Sequence, residues 1–283
     1  MPQASPRVNT ATTQMQEGLS TRTHADELLR LMSYNVQVGI SSSRPHHYLL
    51  HSWKHLLPHT QRFANIDQLC HELHRYDIVG LQEVDAGSLR SNFINLTEYM
   101  AHLAGFSHWY HQVNRNLGHL ARHSNGLLSQ YRPAEIRDIK LPGMIPGRRA
   151  IMARFGSEAN PLVVFVLHLA LGKRARMNQL AYLAELINEY PHAIVMGDLN
   201  TAADSREMLE LFRRTRLHEP LEEVHTFPSW RPRKHIDHIL VTTDLEVEEI
   251  HVPALEAYSD HLPIAMSIRL PAGLTLSRQS VHA

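Results

Sequence analysis

Residues 162–200 read LVVFVLHLALGKRARMNQLAYLAELINEYPHAIVMGDLN. Leu162–Leu169 is apolar at every position but His168, and Ala193–Met196 is apolar throughout. Runs of this kind, rich in branched side chains and without polar alternation, predict strands buried on both faces. Arg174–Tyr190 has a different period. Met177, Leu180, Leu183, Ala184 and Ile187 fall along one stripe and Pro191 closes it, which predicts a helix packed on one face.

The same short apolar runs, each bounded by turn residues, recur at Leu31–Val38, Ile78–Gln82, Gly126–Ser129, Ala150–Arg154, Ile236–Val241, Val247–Val252 and Ile264–Leu270. Helical periods recur at Phe63–Arg75 and at about Ser205–Thr215, where Asp204 is placed as the cap and Met208, Leu211 and Phe212 face inward. Strands outnumber helices and their connections are mixed. The expectation is an α/β layered fold with two sheets packed face to face, not a doubly wound sheet. Residues 1–27 are polar and aperiodic and read as a flexible arm; 28–271 form the folded domain, and 272–283 read as a flexible tail. Ser41–Arg62 and Phe106–Asn125, rich in His and aromatics, read as surface loops that shape a site.

The chain has 283 residues, with 28 Lys and Arg against 28 Asp and Glu. A balanced charge argues against a field that steers nucleic acid or coats an anionic membrane. The 22 histidines make the protein turn cationic on mild acidification. One cysteine, Cys70, excludes an intramolecular disulfide and a cysteine zinc cage. It shares a helical face with Phe63, Ile66 and Leu73, which predicts a buried, inert thiol. No cationic segment followed by an apolar run opens the sequence, and no window reaches the ~20 apolar residues of a membrane span. A cytoplasmic protein is expected.

Polar residues favoured by metals and phosphates sit where the apolar runs end. Asn35 ends LMSYN, Glu83 ends IVGLQE, His168 ends VVFVLH, and Asp198 and Asn200 close IVMGDLN. Asp237 lies in HIDHIL, and Asp260 and His261 precede LPIAMSI. Any one of them has a local explanation as a cap or turn residue; the pattern does not. Asn35, Glu83 and Asp260 are hard oxygen ligands suited to magnesium, with manganese as a substitute, and not to zinc. With His168 and His261 beside carboxylates and a divalent ion, the parts are those for attack of water on phosphorus.

LMSYNV, LQEVD, SNGLLS, HLALG, GDLN, HIDHIL and SDHLP, in this order over roughly Leu31–Leu270, resemble the endonuclease/exonuclease/phosphatase superfamily. TFPSW and HLALGKRARMNQ are similar to its compact bacterial members. The resemblance implies a four-layered α/β sandwich, two mixed β-sheets packed face to face with helices outside, and a magnesium-dependent phosphoric ester hydrolase. It also implies that Glu83 binds the metal with Asn35 and Asp260 completing or flanking the site. Asp237 then orients His261, Asp198 aligns the attacking water, Asn200 holds a phosphate oxygen, and His168 stabilises the charged phosphorane. Members of the superfamily divide over whether the His or the Asp is the base, and both assignments stand at this point.

Shared motifs grip the scissile phosphate and leave the rest of the substrate open. Asn125 in SNGLLS and Arg149 in PGRRAIM are the candidate substrate-binding residues, with a turn role as the rival for each. Arg148 is a second candidate for a phosphate grip. Lys173, Arg174 and Arg176 either flank the site or open an exposed helix, and Arg231, Arg233 and Lys234 either rim the site or form a solvated loop. HHYLLHSWKHLLPH, residues 46–59, suits peripheral contact with lipid or a helix on the core edge. A small-molecule or phospholipid-type phosphodiester or phosphomonoester is the favoured substrate. The alternative is a nuclease, with Trp109, Tyr110 and Trp230 as stacking platforms.

Overall fold

The computed structural model describes residues 28–36, 60–87, 91, 93–116, 122–143, 147–220, 224–255 and 258–278. The 46–59 segment and the 1–27 arm lie outside them. The described elements are β1 (Leu28–Asn35), α1 (Thr60–Leu73), β2 (Ile78–Asp85), α2 (Leu96–Ala104), β3 (His108–Asn116), β4 (Arg122–Ser129), β5 (Glu135–Lys140) and β6 (Arg149–Gly156). They continue with β7 (Pro161–His168), α3 (Lys173–Ile187), β8 (His192–Asp198), α4 (Arg206–Arg214), β9 (Leu217–His218), β10 (Asp237–Thr242), β11 (Glu246–His251) and β12 (Ile264–Arg269).

The strands form two six-stranded sheets, one ordered β11-β12-β1-β2-β4-β3 and the other β5-β6-β7-β8-β10-β9. Each contains one parallel pair, β1 with β2 and β7 with β8, among antiparallel neighbours, so both sheets are mixed as expected. Alternation within the strands builds three apolar layers. Leu29, Leu31, Leu162, Val164, Val166, Ile194, Met196, Ile239 and Val241 fill the seam between the sheets. Val163, Phe165, Leu167, Ala193 and Val195 point the other way, onto Leu180, Leu183 and Ile187 of α3 and Met208 and Leu211 of α4. On the far side Met32, Val79, Leu81 and Leu128 pack against Ile66, Leu69, Cys70 and Leu73 of α1 and Leu96 and Met100 of α2. The result is helix, sheet, sheet, helix. A strand covered on both faces has no solvent side, so β7 and β8 read as unbroken apolar runs.

Several expectations are corrected. Within Phe106–Asn125, read as a loop, lie β3 and the first half of β4, paired antiparallel from His108 with Ser129 to Asn116 with Arg122. The segment carries a mixed alternation because Tyr110 faces the seam core while Trp109 packs on the opposite face. The α4 cap is Ser205, which accepts from the Met208 amide, not Asp204. Residues 272–278 are no free tail: Leu274 and Leu276 join the seam core, and Arg278 donates to Asp77 at 2.7 Å. Two leucines spaced by one residue were too short a pattern to reveal that. Arg176 is buried and does not open an exposed face; its guanidinium pairs with Glu207 at 2.8 Å.

Candidate active site

At one end of the seam the inward-facing residues change from apolar to polar. The even-numbered residues of β7 and β8 face inward, so after Val166 comes His168 and after Met196 comes Asp198; on β10 the inward series Val241, Ile239 ends at Asp237. The register sets these three side by side, His168 opposite Asp198 in the parallel pair and Asp198 opposite Asp237 in the antiparallel one. Arg149 stands one step beyond the Ala150–Leu167 pair, next to His168 in the same row. From the other sheet β1 brings Asn35, the inward residue after Leu31 and Ser33.

Glu83 reaches the seam by a different device. Val79 and Leu81 of β2 face the helices, and plain alternation would send Glu83 after them. A bulge between Leu81 and Val84 adds one residue, Val84 takes the outward place, and Glu83 adopts φ 57. Asn200, at φ 55, is the other site residue in this left-handed region. Such conformations cost of order 1–3 kcal/mol for non-glycine residues and gather at functional sites. Gly197 permits the approach of Asp198: at φ +148, a Cβ there would lie 1.9 Å from the Leu167 carbonyl oxygen.

Asp198 is the hub. Its Oδ2 accepts from Asn35 Nδ2 at 3.1 Å and lies 3.3 Å from His168 Nε2 and 3.8 Å from His261 Nε2. Its Oδ1 accepts from the Asn200 amide at 2.9 Å. His261 Nδ1 meets Asp237 Oδ2 at 2.8 Å, and Thr226 donates to the same oxygen. Across the seam, His168 Nδ1 is 3.9 Å from Glu83 Oε1. Ser259 locks the 258–262 turn by donating to the Asn35 carbonyl at 2.7 Å and accepting from the His261 amide at 3.2 Å. Phe227 packs on the His261 ring at 4.8 Å, and Lys234 sits over Phe227 at 5.6 Å.

Burial governs the charges. Burial and the neighbouring Asp237 charge push Asp198 up to about 7. Burial works against a charged His261, yet the Asp237 carboxylate outweighs it and holds the imidazole up to about 10. Burial also raises the Asp260 carboxyl, with His261 opposing and Glu83 adding to the rise.

A divalent cation fits the Asn35, Glu83 and Asp260 set. Asn35 turns its amide nitrogen to Asp198, and the Glu83 charge adds to the rise of the Asp260 carboxyl, so the two carboxylates act on each other electrostatically. Glu83, whose side chain keeps 30% of its surface, is more open than its partners. Asp198, Asp237 and His261 also converge within 4.8 Å of one another, with His261 hydrogen-bonded to Asp237 and Asp198 held by Asn35 and the Asn200 amide.

All eight candidate catalytic and metal residues sit at this end of the seam. The substrate candidates fare differently. Asn125 is fully buried, accepts from Asn114 at 2.9 Å and donates to the Arg149 carbonyl at 3.1 Å, so it ties β4 to β6 beside Arg149. Arg149 is half-buried and its guanidinium leans on Asp138 at 3.3 Å. Sequence reasoning missed Thr226, Phe227 and Ser259 as supports, though TFP and SDH already stood among the motifs.

A sandwich with imidazoles, carboxylates and an amide gathered at one end of its inter-sheet seam defines a class of hydrolase fold. The Endonuclease/Exonuclease/phosphatase family profile matches residues 32–261, and the chain belongs to that family, whose members hydrolyse phosphoester bonds and generally use a divalent metal. No curated protein matches the sequence. Solved structures share the fold at low identity. An endonuclease/exonuclease/phosphatase from Beutenbergia cavernae is 18% identical, TM-score 0.68, over 86% of this chain and 72% of that one. A mannosyl-6-phosphatase from Bacteroides thetaiotaomicron is 18% identical, TM-score 0.62, over 85% and 99%. The human Nocturnin catalytic domain with bound sulfate is 18% identical, TM-score 0.59, over 88% and 94%. Among the described residues no helix is long and apolar enough to cross a membrane.

Proposed function

We propose that the protein is a magnesium- or manganese-dependent phosphoesterase acting on a small or phospholipid-type phosphate ester. The observation that carries this is the convergence on one Asp198 oxygen of Asn35, His168 and His261 at 3.1, 3.3 and 3.8 Å. Asn35, Glu83 and Asp260 would hold the ion, which when bound supplies a Lewis acid for a phosphate oxygen. Asp198 aligns the attacking water and takes its proton; its amide and imidazole neighbours fix the carboxylate in one orientation. His261, kept cationic and oriented by Asp237, meets the negative charge that grows on phosphorus. His168 stabilises the same charge from the neighbouring strand, and Asn200 holds a phosphate oxygen. Of the aromatics that a nuclease reading needs, Tyr110 and Trp109 pack against the cores, which favours a small substrate over a polymer. A reducing compartment, the cytoplasm, suits a chain with one cysteine.

The test is hydrolysis of bis-p-nitrophenyl phosphate and p-nitrophenyl phosphate with Mg²⁺, Mn²⁺ or EDTA. Metal-dependent cleavage is expected, falling at least about 10²-fold in Asp198→Asn and His261→Ala with folding kept. Full activity in either variant, or in EDTA, overturns the assigned roles. A steep loss of binding to single-stranded DNA with salt moves the substrate to nucleic acid.

A further inference from the structure

Asp237 and His238 are consecutive on β10, so their side chains leave on opposite faces. Behind Asp237, on the face turned to the helices, stands a second group of imidazoles around a carboxylate. Glu219 Oε1, directly after β9, faces His238 Nδ1 and lies 3.2 Å from His235 Nε2. The two imidazole rings stack at 4.5 Å. One ligand atom from each of the three residues lies within 4.8 Å of the others.

Glu219 and His238 pair directly here, and three features suit the group to a metal ion as well. His238 Nε2 meets the Thr201 carbonyl at 2.8 Å; a carbonyl only accepts, so Nε2 carries the hydrogen and Nδ1 is the atom turned to Glu219. An imidazole whose far nitrogen donates to a backbone carbonyl has the tautomer and orientation of a metal ligand. His235 is 8% exposed, and its Nε2, aimed into the group, is buried without a hydrogen-bond partner. Finally, ligand atoms about 2.0–2.2 Å from one tetrahedral ion stand roughly 3.3 Å apart, close to the 3.2 Å between Glu219 and His235, while the direct Glu219–His238 contact has to open to admit the ion. Two imidazoles and a carboxylate suit zinc, cobalt or nickel, whereas magnesium prefers the all-oxygen set on the opposite face of the sheet.

We propose that Glu219, His235 and His238 form a second metal site, for a transition metal ion of the zinc class, that braces the strand carrying Asp237 and the turn after Asp198. The ion joins β9, β10 and the Thr201 turn from behind, without touching the substrate. Nothing in this requires the hydrolytic reading to hold.

Chelator-treated, dialysed protein is titrated with ZnCl₂ by calorimetry, with metal content and melting temperature measured alongside, and MgCl₂ as the contrast. His235→Ala and Glu219→Gln are the test variants, and Glu83→Gln, at the oxygen-rich site, is the control. The expected result is one zinc ion that raises the melting temperature of the wild type and of Glu83→Gln. Its affinity falls at least about tenfold in both test variants, the low end for disturbing even a partner behind a metal ligand. Because the chain has 22 histidines, the difference of one ion per chain between wild type and variant is the decisive reading. Equal uptake and equal melting gain in the test variants place any zinc elsewhere and overturn the site. No uptake by the wild type, or loss only in Glu83→Gln, overturns it too.

Discussion

The two faces of the second sheet carry histidines and carboxylates side by side, yet the groups behave oppositely. On the inner face Asp198 and Asp237 are neighbours in the β8–β10 register, and burial plus like charge raises Asp198 to about 7. On the outer face burial also opposes the Glu219 charge, but its hydrogen bond with His238 holds the carboxyl below its usual range. Glu207 follows the same rule, with Arg176 outweighing burial. Thr201 belongs to both, its carbonyl meeting His238 and its hydroxyl donating to Glu207 at 3.3 Å. The inner face sets two neighbouring carboxylates around one imidazolium and continues into left-handed backbone at Asn200; the outer face pairs each carboxylate with a base of its own and ties down the turns. Proteins accept such tension where chemistry is done and relieve it elsewhere.

The largest effect is expected where the faces meet. Gly197→Ala puts a Cβ 1.9 Å from the Leu167 oxygen, which only separation of β7 from β8 can relieve, and that moves His168 away from Asp198 while loosening the outer layer. A stability loss above about 4 kcal/mol is expected, beyond the usual range for one substitution, read as failed soluble expression or a collapsed melting transition. A well-folded Gly197→Ala protein would show that the strands can slide and that the registry of the row is softer than described.

Arg176→Leu probes the outer face alone. It leaves Glu207 buried beside Thr201, and breaking a buried pair costs about 3–5 kcal/mol. The pH response separates this from a packing defect. Arg176 holds the Glu207 carboxyl below its ordinary 4.5, so the stabilisation is complete above that value and is lost as pH falls through the lower folded value. Denaturant unfolding of wild type and Glu207→Gln should therefore differ at pH 7 and converge in acid. A constant difference across that range would mean that the pair's charge contributes nothing and that the two faces are not distinguished by it.

How much of this was legible depended on who covers whom. β7 and β8 are buried on both faces, so their sequences announce them, and the polar residue ending each run is visible against the apolar background. β3 has a core-facing Tyr110 and an oppositely packed Trp109 amid His, Gln and Asn, and its hydrogen-bonded neighbour β4 settles it as a strand, which local sequence does not encode. Site residues at strand ends were found; Thr226 and Ser259 act through single hydroxyls whose partners lie 11 and 224 residues away, a distance no local pattern reaches. Asn125 was legible as a marked position, but its bonds to Asn114 and to the Arg149 carbonyl, 11 and 24 residues away, were not. The Glu219, His235 and His238 group stayed hidden because it joins residues up to 19 apart through a two-stranded pairing at the sheet edge.

The smallest expected effect concerns the outer face of the first sheet, where burial and the Asp67 charge act on one thiol in the same direction. Cys70 is buried between α1 and α2, its thiol donating to the Met100 carbonyl at 3.9 Å. Burial, with Asp67 adding to it, pushes the thiol up to about 12. If opposite charge is what keeps buried groups ionised elsewhere in the molecule, Cys70 should be almost wholly protonated at pH 8, because the thiolate is the reactive form. Iodoacetamide should leave the native protein unlabelled over hours and label it stoichiometrically in urea. Rapid native labelling would place α1 in an opening equilibrium, so that the thiol is reached by local unfolding. The contrast would then be one of mobility and not of charge, and the same measurement on Arg176→Leu would show whether the outer layer of the second sheet opens as readily.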